Sequence, residues 1–176
     1  MANSATIYKA VINITDMDRN YYAEHSLTIA CHPSESEARM MVRLLAFILS
    51  ADPALQFSRG LSSQDEPALW IKSEIDETLL WIDIGQPDEK RIRQACQRSR
   101  QVIIYTYQPR SVTPWLKQIE DKIKRFDNLS IQHLEQTTVD QLGLLVKRTM
   151  QLQCTLQDGE LWISDDSQQV HIALQS

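Results

Sequence analysis

DEPALWIKSEIDETLLWIDIG, residues 65–85, holds two short apolar runs around a polar turn and reads as a β-hairpin. A turn centred on residues 73–76 sets Glu66 opposite Asp83 and Ala68 opposite Trp81. Side chains alternate between faces along a strand. Glu66, Trp70, Lys72, Trp81 and Asp83 therefore share one face, and Leu69, Ile71, Ile82 and Ile84 take the other, which reads as the core. Two carboxylates facing each other at about 5 Å between Cβ atoms repel unless a positive charge compensates. A divalent cation would do so, and hard oxygen ligands suit Mg²⁺, which takes one or two carboxylates plus substrate phosphate. The expected metal ligands are Glu66 and Asp83, with Asp65 as the alternative inward acid. A register error of one or two residues would make these acids solvated strand ends instead.

Downstream, Gly85 to Asp88 turns the chain into a helix over residues 88–99, with Asp88 placed as its N-cap. QVIIYTY (101–107) is a continuous apolar run, as in a strand covered on both faces. A helix near 112–124, a strand NLSIQHL and a helix near 138–150 follow. This strand–helix rhythm predicts parallel strands with crossover helices. LQCTLQ-DG-ELWIS carries Asp158-Gly159 between alternating runs, a type I′ hairpin signal, and continues an antiparallel meander into VHIAL.

Upstream, residues 5–15 and 21–31 are rich in β-branched residues and flank DMDRN, which predicts an N-terminal hairpin. Ser34 with Glu37 has the spacing of a capping box, and Met41, Leu44, Leu45 and Ile48 repeat at helical spacing, so a helix is expected over about 35–50. Glu35, Arg39 and Arg43 are spaced four apart, which an i,i+4 ladder explains as well as function does.

At 176 residues the length suits a single domain, 1–176, of the α/β class, built as a mixed sheet flanked by helices. The formal charge is −5, which speaks against a non-specific polyanion binder unless a local basic patch overrides the average. Such a candidate exists: Lys90, Arg91, Arg93, Arg98 and Arg100 on the 88–99 helix and just after it. Arg110, Lys117, Lys122, Lys124 and Arg125 join them if the next helix lies nearby. A charged helix face is also what solubility alone produces. Three cysteines without a CxxC, and an opening MANSATIYKAV without signal-peptide character, predict a cytoplasmic protein with free thiols. No apolar window is long enough for a membrane helix. There is no GxSxG, Walker-A loop, GxGxxG or HExxH.

Several blocks in order carry a resemblance: ATIYKA, HPSESEARMMVRLLAF, LQFSRGL, DEPALW, LWIDIGQPDEKRI and RTMQLQCTLQDGELWISDD. Over nearly its whole length the sequence resembles the bacterial YaeQ family. That resemblance implies a compact variant of the PD-(D/E)XK fold, a restriction-endonuclease-like core with the N-terminal hairpin and C-terminal meander added. It matches Glu35 to the superfamily's helix acid, Asp65 or Glu66 to the strand acid, and Asp83 to the (D/E) position. Where the pattern has lysine, this chain has Gly85. Lys72, Lys90 or Lys9 would have to substitute.

Two functions follow as expectations. One is a Mg²⁺-dependent nuclease or phosphodiesterase acting on nucleic acid. Glu66 and Asp83 would hold the metal, Glu35 would position water or a second ion, and Lys72 or Lys90 would stabilise developing charge. The other is a non-catalytic nucleic-acid- or protein-binding regulatory module on a degenerate core of the same kind, motivated by Gly85. No membrane partner is expected, and oligomeric state is not set by the sequence.

Overall fold

The computed structural model describes residues 4–174. Residues 1–3, part of the opening read above against a signal peptide, lie outside them. In chain order the elements are β1 (Thr6–Asp16), β2 (Tyr21–Cys31), α1 (Glu37–Leu49), β3 (Leu55–Phe57), β4 (Leu69–Lys72), β5 (Thr78–Ile84) and α2 (Glu89–Arg98). Then come β6 (Ser99–Thr106), α3 (Pro109–Ile123), β7 (Leu129–His133), α4 (Gln136–Gly143), β8 (Thr149–Gln157), β9 (Glu160–Ser164) and β10 (Gln169–Ala173). The α/β class holds, but the strands form two mixed sheets rather than one, ordered β10-β9-β8-β1-β2 and β3-β4-β5-β6-β7. They fall in two compact units, the first comprising residues up to Met41 and from Thr137, the second Val42–Gln136.

In the first unit the predicted hairpin and the predicted meander are one sheet. β1 pairs antiparallel with β2 and parallel with β8, so Ile12 lies between His25 and Leu152. Tyr8, Ala10, Ile12 and Ile14 alternate inward along β1, and Met150, Leu152, Cys154 and Leu156 do so along β8. The Asp158-Gly159 turn has φ of 54° and 74°, positive at both positions as type I′ requires. The Asp18 carboxylate accepts from the N–H of Asp158 at 2.7 Å and of Gly159 at 2.9 Å, tying this turn to the β1–β2 turn.

The helix expected over 138–150 stops at Gly143. The amides of Leu144 and Leu145 bond back three residues, to Gln141 and Leu142, which tightens the last turn, and period-two burial takes over from Met150. At α1 the capping residue is Ser36, whose Oγ accepts from the Arg39 N–H at 3.1 Å; Ser34 bonds His32 instead. The helix therefore starts at Glu37, with Glu35 ahead of it.

In the second unit β4–β5 is antiparallel and β5–β6–β7 is parallel, with α2 and α3 as the crossovers. The two helices cover one face of the sheet: Ile92, Ala95 and Cys96 of α2 and Val112, Trp115 and Ile119 of α3 pack with Trp81, Val102 and Ile104. Leu69 and Ile82, on the opposite face, are fully buried. The register of the decisive hairpin differs from expectation by two residues. Trp70 pairs with Trp81 and Leu69 with Ile82, because the connection runs from Ser73 to Glu77 and a bulge lies at Ile71/Lys72. A two-residue slip preserves faces. Trp70, Trp81 and Asp83 do share a side, but Glu66 is not opposite Asp83.

Candidate functional site

Asp83 is the penultimate residue of β5, 6% exposed, on the face that carries Trp81. Gly85 ends the strand with φ 110°, its N–H bonded to the Tyr105 carbonyl. The chain then reaches Asp88, whose carboxylate accepts from the Arg91 N–H at 2.8 Å and caps α2 as expected. Arg91 is thus in the first turn of α2. Side chains on a helix lean toward its N-terminus, which here is the end of β5.

Arg91 fills the position. Its Nε donates to Asp83 Oδ2 at 2.8 Å and its Nη2 to Oδ1 at 3.0 Å, a bidentate pair. The same guanidinium donates from Nη1 to the Gln64 carbonyl at 2.7 Å and from Nη2 to the Glu66 carbonyl at 3.0 Å. It also lies over the Trp81 ring, 5.7 Å from the centroid. The bond to Asp83, the largest influence, raises the guanidinium pKa against the opposing effect of burial. Strand β5, helix α2 and the 64–66 loop are therefore joined through one side chain.

The structure brings the backbone of residues 64–66 to Asp83 but sends the Glu66 side chain elsewhere. Glu66 Oε1 accepts from Ser58 Oγ at 2.6 Å, and Oε2 pairs with Arg59 Nε. The Ser58 bond, then Arg59, hold its carboxyl below the usual range. Asp65 is exposed and contributes through its charge to the field at Arg91. Lys72 pairs with Thr78 at the other end of β5, about 16 Å of strand from Asp83, and its Nζ donates to Thr78 Oγ1. It does not replace the lysine absent at Gly85. Lys90 is exposed on α2, and Lys9 is exposed on β1 in the first unit. Glu35 also belongs to the first unit, with its side chain 2% exposed and paired to Arg39 at 2.5 Å, the i,i+4 contact its spacing suggested.

These contacts bear on the expected Mg²⁺. Both oxygens of Asp83 and both of Glu66 accept hydrogen bonds from protein donors, and the compensating charge is a guanidinium in each case. Among the described residues no group of three or more His, Cys, Asp and Glu side chains can hold a metal ion. As arranged, the residues do not fit the cation. Sequence reasoning missed Arg91, which it assigned to the exposed basic side of α2. The signal that would have found it is its place three residues after the Asp88 cap, where an arginine can reach back to the strand end.

Residues 1–174 match the family profile described as YaeQ protein. The chain is 46% identical over 174 residues to the uncharacterized protein YaeQ of Salmonella typhi, covering 99% of this chain and 96% of the relative. It is 44% identical to that of Escherichia coli K12, with the same coverage. Among solved structures, the YaeQ protein of Xanthomonas axonopodis pv. citri superposes with a TM-score of 0.92 at 45% identity, covering 97% of this chain and 96% of that one. The YaeQ protein of Pseudomonas syringae gives 0.89 at 38% identity, covering 97% and 94%.

Proposed function

The chain belongs to the YaeQ family, and from that premise we propose that it is a non-catalytic, nucleic-acid-binding module on a restriction-endonuclease-like core. The observation that carries this reading is the closure of Asp83 by Arg91. Metal-dependent phosphodiester cleavage needs carboxylate oxygens open to the cation and a cationic side chain beside them. Here both Asp83 oxygens are bonded to an arginine that two carbonyls also hold, and the lysine position is a glycine with φ 110°.

Nucleic acid is the ligand class favoured by the helical layer. Lys90 and Arg98 on α2 and Arg110, Lys117 and Lys122 on α3 are exposed and form no ion pair with any described residue. Glu89 is already neutralised by Arg93 and Arg125, and Asp121 by Lys124. The two helices pack together on the sheet, so the unpaired cations share a layer. Concentrated, unpaired positive charge is what phosphate-backbone contact requires, whatever the average charge of the chain. Free, buried thiols agree with a cytoplasmic setting.

Fluorescence anisotropy with single- and double-stranded DNA and RNA, in EDTA, tests the reading. Binding should persist without metal, weaken as salt rises, and weaken further when Lys117→Glu and Lys122→Glu are combined. Binding to none of these ligands at low salt, or binding indifferent to charge reversal, would remove it. Metal-stimulated cleavage that Asp83→Ala abolishes would restore the phosphodiesterase reading.

A further inference from the structure

A second concentration of charge lies at the opposite end of β5 from Asp83, around a cavity of about 440 Å³ in the second unit. Three cations from three elements line it: Lys72 at the end of β4, Arg98 at the end of α2 and Arg100 on β6. Lys72 is held in place, with Nζ bonded to Thr78 Oγ1 at 3.0 Å and lying 4.9 Å from the Trp70 ring centroid. Its acidic neighbour Asp76, 3.5 Å away, has a side chain 90% exposed. Arg100 pairs with Glu77 at 2.8 Å, with side chains 70% and 46% exposed. Arg98 has no partner among the described residues. Ser99, 8% exposed, also lines the cavity, and its buried Oγ has no hydrogen-bond partner among them.

We propose that this cavity binds a terminal phosphate group. Two guanidinium forks and one ammonium suit a compact dianion with several acceptor oxygens. The competing carboxylates are weak rivals, because solvent-exposed ion pairs contribute little and are easily exchanged. The cleft is open to solvent, so the phosphate can arrive on a larger body. The site shares Arg98 with the helix-face contacts proposed above but differs in its other residues and its ligand: it selects a dianionic phosphomonoester, whereas the α2–α3 layer meets monoanionic phosphodiesters. Either proposal can fail alone.

Calorimetric titration with inorganic phosphate tests it, followed by two pentanucleotides that differ only in carrying a 5′-phosphate or a 5′-hydroxyl. Saturable phosphate binding is expected, weakened about tenfold or more by Arg98→Gln, as loss of a charge-assisted contact implies. Glu77→Gln frees Arg100 and should strengthen binding. Tighter binding of the 5′-phosphorylated oligonucleotide than of both its 5′-hydroxyl counterpart and inorganic phosphate makes nucleic-acid ends the source. Equal affinity makes it a free phosphate compound. Absence of saturable binding at about 10 mM phosphate would overturn the proposal, since the affinity would then be weaker than about −3 kcal/mol. Binding that survives Arg98→Gln unchanged would overturn it too. Arg98 is exposed and unpaired, so the thermal midpoint of that variant should match the parent and exclude misfolding as the cause.

Discussion

Arg91 grips both carboxylate oxygens of Asp83, Nε to Oδ2 at 2.8 Å and Nη2 to Oδ1 at 3.0 Å, from the first turn of the helix that follows the strand. With Asp83 6% exposed, removing the arginine leaves a largely buried carboxylate without its bidentate partner. Arg91→Ala should cost about 3 kcal/mol in urea unfolding. A double-mutant cycle with Asp83→Asn and Arg91→Gln should give a coupling of about 1–3 kcal/mol. Additive losses would mean that the pair is not a unit.

Gly85 is not a lysine lost by simple substitution. A Cβ added there meets no atom within 4 Å, so space is available, but φ is 110°, where L side chains are strained. Gly85→Lys should destabilise the protein by about 1–2 kcal/mol and confer no cleavage of DNA or RNA. A variant as stable as the parent that cuts in Mg²⁺ would contradict the backbone argument.

Glu66 makes stability depend on acid. The Ser58 hydroxyl and then Arg59 hold its folded-state pKa below the ordinary value. Its contribution is therefore present above the unfolded carboxyl pKa, near 4.3, and is lost as pH falls through the lower folded value. The urea midpoint of Glu66→Gln should fall short of the parent's at pH 7, and the gap should be smaller at pH values below the ordinary carboxyl range. A gap of equal size above and below the carboxyl range would show that the carboxylate charge is not what matters.

Two thiols should be silent in the native protein. Burial pushes Cys96 up to about 11 and Cys154 up to about 12, so neither carries much thiolate near neutrality. Alkylation at pH 8 followed by mass spectrometry should leave both unmodified until the chain is unfolded in urea. Rapid native labelling of either would contradict their placement in the core.

Local features were legible where local rules act alone. The Asp158-Gly159 turn, the Asp88 cap and the Glu35–Arg39 pair each depend on neighbours within four residues. The faces of β4 and β5 were legible too, because a two-residue error keeps Trp70, Trp81 and Asp83 on one side. The pairing itself was not, since neither the longer turn nor the bulge at Ile71/Lys72 has a composition signature. The division into two sheets rests on β1 pairing in parallel with β8, some 140 residues away, for which no local pattern exists. Arg91 was hidden because a basic residue in a charged first turn looks solvated until the strand end beneath it is known.

The most direct experiment is a cleavage assay of labelled single- and double-stranded DNA and RNA in Mg²⁺ and in Mn²⁺, with the parent protein and Asp83→Ala side by side. The account predicts intact substrate in every lane, with the parent nevertheless retaining the labelled nucleic acid in a low-salt filter-binding arm. Cleavage by the parent that Asp83→Ala abolishes would contradict it, because Arg91 would then have to yield its place to a metal ion.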